Sequence, residues 1–246
     1  MDRLREKVAI ITGGTAGIGY GIAECFIKEG ATVIITGRNQ GRGQTAAKKL
    51  GPQAIFMPQD VSKESDWQRV IKDTIDQFDH LNILVNNAGI APKYESIDKL
   101  ALADWQRVIN VDLTGTFLGI KYGMAEMIRR KCAGSIINIA SIASFIGGAK
   151  SSSYGAAKGG VRLLTKCAAI DGANHKTAIR VNSVHPGPIR TAILTDEQTA
   201  TFGKQTPLGH IGKPTDIGNI CVYLGSDESE FTTGASFIVD GGWTAL

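Results

Sequence analysis

A tyrosine and a lysine four residues apart are the side chains of this sequence best suited to proton transfer. Tyr154 and Lys158 lie in SSSYGAAKGGV, where nothing interrupts a helix, so they are predicted one turn apart on one helix face. The serines before Tyr154 are predicted to cap the helix start. A phenol ionises at about pH 10, and a neighbouring ammonium lowers that pKa. The pair therefore predicts a general acid or base that exchanges a proton with a substrate oxygen near neutral pH.

A Tyr-x-x-x-Lys pair also occurs by chance as a surface pair on a helix, so its meaning depends on the surrounding elements. Ser141 follows the fifth predicted strand, residues 135–140 (SIINIA), and lies thirteen residues before Tyr154. Ligands bind at the carboxyl ends of the strands in open parallel sheets. The intervening loop is therefore predicted to bring the two hydroxyl groups together.

A glycine-rich turn joins the first predicted strand to a helix. Val8–Thr12 (VAIIT) is a continuous apolar run, TGGTAGIG follows it, and apolar residues at helical spacing come next. Gly13, Gly17 and Gly19 let the backbone turn tightly and approach a pyrophosphate, which the helix N-terminus then binds. With a second strand at residues 31–36 (ATVIIT), the segment is predicted to be a dinucleotide-binding βαβ unit.

The residues after the second strand predict which dinucleotide binds. An Asp or Glu at this position accepts hydrogen bonds from the ribose 2′-hydroxyl of NAD. This chain has Gly37 and Arg38, so no carboxylate repels a 2′-phosphate and a guanidinium is available to bind one. The sequence therefore predicts NADP(H) over NAD(H), the alternative being an Arg38 that only points to solvent.

The rest of the chain alternates between short strands and amphipathic helices, which predicts one α/β domain over residues 1–246. Asn86 follows the fourth strand. Its amide is equally suited to two roles, contacting a cofactor or hydrogen-bonding backbone groups of the strands. A helical stretch at residues 102–130 contains Asn110, a poor helix-interior residue that predicts a bend or a polar group in the site. Residues 191–212 have weak periodicity and are predicted to be a mobile lid over the pocket.

Composition excludes several functional classes. Hydrophobic residues make up 43% of the chain, but no window approaches 18 apolar residues, so no membrane span is predicted. The net charge is +4 without a Lys/Arg cluster, which argues against nucleic acid as a partner. The charged N-terminus lacks a secretory signal, and the four separated cysteines predict buried, reduced thiols in a cytoplasmic protein.

Four separated motifs resemble the short-chain dehydrogenase/reductase family. They are TGGTAGIG at residues 12–19, NNAG at 86–89, Ser141 with YGAAK at 154–158, and HPGPIRT at 185–191, in order over essentially the whole chain. Within the family, VAIITGG, ITGR, TPLGHIGKPTDI and GASFIVDGG most resemble bacterial R-specific, NADP-dependent secondary alcohol dehydrogenases, also called carbonyl reductases. The resemblance implies a Rossmann fold, doubly wound around a seven-stranded parallel sheet, and a homotetramer. It also implies NADPH-dependent, reversible reduction of small-molecule ketones to secondary alcohols.

The resemblance also implies roles for individual residues. Ser141 would hydrogen-bond the carbonyl, and Tyr154 would deliver a proton to the developing alkoxide. Lys158 would lower the pKa of the tyrosine and hold the nicotinamide ribose, while Asn110 would hold a water that links Lys158 to solvent. The expected cofactor contacts are Gly13, Thr15, Gly17, Ile18, Gly19, Gly37, Arg38, Asp60, Val61, Asn87, Ala88, Gly89, Tyr154, Lys158, Pro186, Gly187, Ile189 and Thr191.

The expected substrate pocket is mostly apolar, which suits hydrophobic ketones. Its predicted members are Ala143, Phe145, Pro188, Ile193 and Phe202. The loop after Ser141 lacks the acidic side chain of the similar alcohol dehydrogenases, and Pro188 stands where they carry a bulkier aromatic residue. The substrate itself is therefore not implied by the resemblance.

A structural magnesium ion near the chain end is a further feature of those relatives. This chain ends at Leu246, which offers only its α-carboxylate, so magnesium binding stays open. No catalytic metal is expected, because the four histidines lack the spacing of zinc ligands.

Two alternatives to the ketone reductase remain. A 3-oxoacyl-[acyl-carrier-protein] reductase has nearly the same motifs and would need a basic surface near the pocket, for which Arg129, Arg130 and Lys131 are the candidates. A catalytically inactive NADP-binding sensor would keep the fold but would usually lose Tyr154 or Lys158.

Overall fold

Seven parallel strands form one sheet at the centre of the protein, with the order β3-β2-β1-β4-β5-β6-β7. The structure is a computed structural model that describes residues 2–175, 177–191 and 194–245. The strands are β1 (Val8–Thr12), β2 (Thr32–Gly37), β3 (Ala54–Pro58), β4 (Ile83–Asn86), β5 (Gly134–Ile139), β6 (Ile179–Pro186) and β7 (Ser236–Val239). All neighbouring pairs are parallel, which confirms the predicted α/β fold with a seven-stranded parallel sheet.

Helices cover both faces of the sheet, as expected for a doubly wound fold. They are α1 (Gly17–Lys28), α2 (Gln40–Leu50), α3 (Glu64–Phe78), α4 (Leu102–Val108), α5 (Gly115–Arg129), α6 (Ser152–Asn174), α7 (Asp196–Gln205) and α8 (Pro214–Gly225). One apolar core joins the sheet to α1, α2 and α8, and a second joins it to α3, α5 and α6. Side chains alternate between the two faces, so Ala9 and Ile11 of β1 enter the first core while Val8 and Ile10 enter the second.

The order of the strands determines where a ligand can bind. The chain runs outward from β1 through β2 to β3, and then returns to the other side of β1 with β4. The crevice between β1 and β4 is thus the point at which the winding direction reverses. Dinucleotides bind in such a crevice at the carboxyl ends of the strands.

The predicted helix at residues 102–130 is divided into three segments. A π-helical turn, Ile109–Thr114, separates α4 from α5 and contains Asn110. The irregularity that Asn110 predicted in this helix is therefore a π-helical turn. A π-helical turn rotates the side chains on either side of it, and such turns occur frequently at functional sites.

The predicted lid contains a helix that its weak periodicity did not indicate. Thr195 and Gln198 form a capping box at the start of α7: Gln198 N donates to Thr195 Oγ1 (3.1 Å), and Thr195 N donates to Gln198 Oε1 (3.0 Å). The T-x-x-Q spacing was the signal for this helix start. Ala192 and Ile193 of the predicted lid lie outside the described residues.

The sequence predicted that all four cysteines are buried, but the structure buries only one of them completely. All are free thiols, but only Cys221 is fully buried, and Cys167 is exposed on α6.

As for membrane insertion, no helix within the described ranges has the length and apolar character needed to cross a bilayer.

Candidate active site

The glycine turn between β1 and α1 leaves room for a ligand against the backbone. Gly13 and Gly17 adopt positive φ angles of +65° and +56°, which side chains other than glycine rarely adopt. A Cβ at Gly19 would lie 2.4 Å from Asn87 Nδ2, so that position admits only glycine. Among the described residues no side chain caps the first turn of α1, because its N-cap is Ala16. Its N–H groups are therefore available to an anion such as a pyrophosphate, which the site fits.

The loop after β4 is fixed to this turn by hydrogen bonds. Asn87 N and Ala88 N both donate to Thr12 Oγ1 at 3.0 Å, and Asn87 Nδ2 donates to Thr12 O at 2.8 Å. Asn86 points into the sheet instead. Its Nδ2 donates to Asn138 Oδ1 at 2.8 Å, which supports the structural one of its two predicted roles.

The end of β2 brings together the residues predicted to contact the adenosine half of a dinucleotide. A Cβ at Gly37 would lie 3.0 Å from Thr15 Cγ2, so this strand end and the glycine turn are in contact. Burial alone would raise the pKa of Asp60, but hydrogen bonds from Ser62 and the charge of Arg38 outweigh burial and lower it. Asp60 is therefore ionised at neutral pH, and Arg38 is close enough to act on it. Val61, in contrast, is buried against Gly115.

The segment after β6 returns to the glycine turn from the other side. A Cβ at Gly17 would lie 3.3 Å from Thr191 Cγ2. Ile189 is buried and bridges to Gly212, whose N–H donates to Pro188 O at 3.0 Å. Gly187 packs tightly on the chain after β7, because a Cβ there would lie 2.7 Å from Asp240 Cα. Thr191 is thus held beside the glycine turn.

Lys158 is the buried cation of the site. The residue is 4% exposed, its Nζ donates to Ile139 O at 3.1 Å, and the same Nζ lies 5.6 Å from the centre of the Tyr154 ring. Burial alone would lower the pKa of Lys158, but the charge of Asp112, followed by Tyr154, outweighs burial and raises it. Lys158 therefore carries its positive charge beside the phenol at neutral pH.

Asp112, which the sequence analysis did not select, is the anionic partner of this lysine. Its Oδ2 lies 3.3 Å from Lys158 Nζ, and its Oδ1 accepts a hydrogen bond from Ile90 N at 2.9 Å. A Cβ at Gly89 would lie 2.8 Å from that Oδ2, so the loop after β4 closes over the pair. The carboxylate of Asp112 is completely buried. A charged residue within the apolar stretch INVDLTG was the signal that could have identified it.

The structure does not bring Asn110 to this group. Its side chain is exposed, and its Oδ1 accepts a hydrogen bond from Gln106 Nε2 (2.7 Å) on the outside of the helix. The π-helical turn places Asp112, two residues later, on the inner side instead.

Ser141 begins a short 3₁₀ turn, Ile142–Ser144, immediately after β5. Its Oγ accepts a hydrogen bond from Ala143 N (3.1 Å), which leaves its own hydroxyl hydrogen available to a substrate. The turn packs on α6, because a Cβ at Gly155 would lie 3.7 Å from Ala143 O. Ser141 is therefore placed beside the first turn of the helix that carries Tyr154. The predicted cap of that helix differs, since Ser151 Oγ donates to Gly148 O and does not cap.

Two of the predicted pocket residues are held by aromatic contacts. The Phe145 ring lies 4.7 Å from the His185 ring in a T-shaped arrangement, and Phe202 of α7 meets Trp243 in the same way at 6.2 Å. Ala143 and Pro188 lie on the two strand-end loops described above. Ile193 lies outside the described residues.

The described part of the chain contains no group of three or more His, Cys, Asp or Glu side chains arranged to hold a metal ion. Leu246, near which the sequence analysis left magnesium binding open, lies outside that part. The Asp240 carboxylate, six residues earlier in the sequence, is already engaged, since it accepts hydrogen bonds from Gly242 N (2.9 Å) and from Thr244 N and Oγ1 (2.8 and 2.7 Å). The structure therefore gives no support to magnesium.

His185 is a second buried titratable group beside the site, and it makes stability depend on pH. Burial, together with the charges of Arg162, Lys158 and Lys166, lowers the pKa of His185 to about 4, although its bond to Ser141 raises it. The unfolded chain binds a proton near pH 6.5 and the folded chain does not, so stability falls as pH falls from about 6.5 to 4.

We expect the wild type to lose about 2 kcal/mol more stability than His185→Asn between pH 6.5 and pH 5, because asparagine does not titrate. Urea unfolding of both proteins at the two pH values measures the difference. Equal losses would contradict a buried, neutral His185.

Known proteins with similar sequences and structures show the family to which this chain is related. Residues 13–244 match a family model described as enoyl-(acyl carrier protein) reductase. The chain is 45% identical to an NADP-dependent (R)-specific alcohol dehydrogenase of Lentilactobacillus kefiri, over 99% of both proteins. It is 38% identical to a 3-alpha-(or 20-beta)-hydroxysteroid dehydrogenase of Mycobacterium tuberculosis, over 99% of this chain and 91% of that protein.

Among solved structures, a putative gluconate dehydrogenase from Agrobacterium tumefaciens superposes with a TM-score of 0.92. The two proteins are 31% identical, and the match covers 99% of this chain and 98% of the other.

Proposed function

We propose that this chain, which belongs to the short-chain dehydrogenase/reductase family of oxidoreductases, reduces ketones to secondary alcohols with NADPH and catalyses the reverse reaction. The observation that carries the proposal is the buried ammonium of Lys158, held 5.6 Å from the Tyr154 ring at the carboxyl edge of the sheet. A phenol beside a fixed cation is suited to proton transfer at a substrate oxygen. The relative from Lentilactobacillus kefiri, by its name, uses NADP and acts on alcohols.

Each catalytic residue has one task in this proposal. The Ser141 hydroxyl donates a hydrogen bond to the substrate carbonyl and orients it. Tyr154 donates its phenolic proton to the same oxygen as charge develops there. Lys158 holds positive charge beside the phenol, and Asp112, in place of the predicted Asn110, holds the ammonium in position. Bound NADPH supplies the hydride, so the protein contributes orientation and electrostatics.

The cofactor site is proposed to run along the crevice from the end of β2 to Lys158. The glycine turn would bind the pyrophosphate through Gly13, Gly17, Ile18 and Gly19, and Arg38 with Thr15 would bind the 2′-phosphate beside Gly37. The remaining proposed contacts are Asp60, Val61, Asn87, Ala88, Gly89, Pro186, Gly187, Ile189 and Thr191. The open backbone at the glycine turn and the exposed guanidinium of Arg38 support this assignment.

Replacing Gly37 with aspartate is expected to lower the ratio of kcat/KM with NADPH to that with NADH by about 10²-fold, because the carboxylate repels a 2′-phosphate. A Cβ at this position would lie 3.0 Å from Thr15 Cγ2, so Gly37→Ala is the matched control for crowding. Only the aspartate should change the preference. If neither variant changes it, the NADP assignment is wrong, and if both change it, the cause is crowding against Thr15 and not charge.

The proposed activity is tested with a panel of hydrophobic aryl ketones and secondary alcohols, assayed with NADPH and NADH. Phe145, Pro188 and Phe202 suggest an apolar pocket, so we expect the highest turnover on bulky, uncharged ketones. Oxidation of NADPH by no member of the panel, despite tight NADPH binding, would favour the inactive sensor.

The carrier-protein reductase is a weaker alternative on structural grounds. Arg129 ends α5, and Arg130 and Lys131 lie between α5 and β5, so all three candidates are at the amino edge of the sheet, opposite Ser141. The two arginines are also paired, both with Glu126 (2.6 and 2.9 Å), and Arg130 with Asp79 as well (2.7 Å). Neither their position nor their charge suits docking of an acidic carrier at the site. Comparing rates on a free aryl ketone and a carrier-bound ketoacyl thioester separates the two functions.

A homotetramer in the cytoplasm is part of the same proposal. Helices α4, α5 and α6 expose the large apolar side chains Leu102, Phe117, Leu163 and Ile170. Such exposure is typical of surfaces that contact another protein, here a second copy. A monomeric mass in sedimentation experiments would contradict the tetramer, and cell fractionation tests the location.

A further inference from the structure

We propose that His185 is a positioning residue for the reaction, because it fixes the backbone that carries the catalytic hydroxyl of Ser141. The inference rests on the role proposed for Ser141. His185 lies at the end of β6, is 0% exposed, and touches the carbonyl group of Ser141 with its ring.

The carbonyl oxygen of Ser141 is held by three donors. Ser144 N donates at 3.0 Å, Ser144 Oγ at 2.6 Å and His185 Nδ1 at 3.1 Å. The side chain of Ser141 is held as well, because its Oγ accepts a hydrogen bond from Ala143 N. The backbone and one lone pair of the hydroxyl oxygen are thereby fixed, and only the hydroxyl hydrogen is left to follow the substrate.

The hydrogen bonds favour one form of the histidine. Nδ1 of His185 contacts two oxygens, Ser141 O at 3.1 Å and Ser144 Oγ at 2.8 Å. Because Ser144 Oγ gives its own hydrogen to Ser141 O at 2.6 Å, both oxygens accept and the hydrogen is assigned to Nδ1. With this tautomer Nε2 accepts the hydroxyl hydrogen of Ser183, whose Oγ lies 2.8 Å away. The neutral imidazole then satisfies every partner and connects β6 to the turn after β5.

A second set of contacts holds the same turn from α6. The Arg162 guanidinium carbon lies 4.1 Å from the centre of the Phe145 ring, and Arg162 Nη1 donates to Ser144 O at 3.2 Å. Phe145 also contacts the His185 ring in the T-shaped arrangement described above. Arg162 lies eight residues after Tyr154 on α6, so these contacts join the turn of Ser141 to the helix of Tyr154. We refer to His185, Ser144, Phe145 and Arg162 together as the serine clamp.

The serine clamp decides where the hydroxyl of Ser141 stands relative to the phenol of Tyr154. A carbonyl oxygen must accept hydrogen bonds from both groups at once, so their separation and angle set the fraction of productive complexes. A misplacement of about 1 Å costs on the order of 10²-fold in rate. His185 acts only through Ser141 and touches no substrate in this account.

Two substitutions at His185 differ in the donor that they keep. Asparagine places an amide N–H near the position of Nδ1, whereas glutamine places its amide near Nε2 and leaves the Ser141 carbonyl without this donor. We expect His185→Gln to lower kcat for ketone reduction about 30-fold with KM for NADPH unchanged, and His185→Asn to stay within about threefold of the wild type.

A double-mutant cycle with Ser141→Ala separates positioning from stability. If His185 acts through Ser141, then His185→Gln should change kcat by less than about twofold in the Ser141→Ala background. Equal effects in both backgrounds, wild-type kcat in His185→Gln, or equal losses in the two His185 variants would each overturn the inference. Should His185→Gln fail to fold, Ser144→Ala, which removes another donor to the same carbonyl, takes its place in the cycle with the same criteria.

The two proposals fail in different ways. A wild-type protein that reduces no ketone contradicts the proposed function before any variant is made. A wild-type protein that is active, loses activity in Ser141→Ala, and shows additive effects in the cycle contradicts only the role of His185.

Discussion

Replacing Tyr154 with phenylalanine is expected to lower kcat for ketone reduction about 10³-fold while leaving the Kd for NADPH within about twofold. The substitution removes one hydroxyl group and keeps the ring that lies 5.6 Å from Lys158 Nζ. Without the phenol, the alkoxide that develops on the substrate has no proton donor in place. Steady-state kinetics and a fluorescence titration with NADPH measure the two quantities.

Tyr122→Phe is the matched control for this substitution. The Tyr122 hydroxyl donates to Glu64 Oε1 at 2.6 Å in an exposed contact between α5 and α3, and Tyr122 is not among the proposed site residues. It also loses one phenolic hydroxyl, yet kcat should stay within about twofold of the wild type. Near-normal turnover of Tyr154→Phe would remove the tyrosine as the acid.

Replacing Lys158 with methionine is expected to lower both activity and stability. Methionine keeps much of the length of the side chain but removes the charge, so Asp112 is left as a completely buried carboxylate without its cation. Breaking a buried pair in this way costs about 3–5 kcal/mol in the free energy of unfolding. We also expect kcat to fall by about 10²-fold, because the phenol loses the neighbouring positive charge.

The double variant Lys158→Met with Asp112→Asn separates the two effects. Removing the second charge relieves the unpaired carboxylate, so most of the lost stability should return, while kcat should remain low. Urea unfolding and ketone reduction are measured on both variants. A double variant as unstable as Lys158→Met alone would show that the ion pair is not the source of the loss.

The pair of Asn110 and Asp112 shows where sequence reasoning about this site ended. Both residues are unfavourable inside a helix, and both lie in the same stretch, INVDLTG. Which of them faces Lys158 depends on the rotation of the π-helical turn Ile109–Thr114. That rotation is set by packing against α6 and the loop after β4, neither of which is adjacent in sequence.

His185 gives a similar case on the other side of the site. The sequence analysis considered it only as one of four histidines without the spacing of zinc ligands. Its contacts with Ser141, Ser144 and Phe145 connect β6 to a turn that lies some forty residues earlier, so no local pattern indicates them.

The sequence by itself determined the fold class and the pair of residues suited to proton transfer, Tyr154 and Lys158. Apolar runs such as VAIIT, the glycine turn after them, and the four-residue spacing of Tyr154 and Lys158 are local features, and local backbone preference and side-chain periodicity act over a few residues. Only the tertiary structure decided which polar groups surround Lys158, namely Asp112 and the carbonyl of Ile139, and that the serine clamp holds Ser141. The physical reason is that burial and charge pairing depend on distances between elements far apart in the chain, which the packing of helices on the sheet sets.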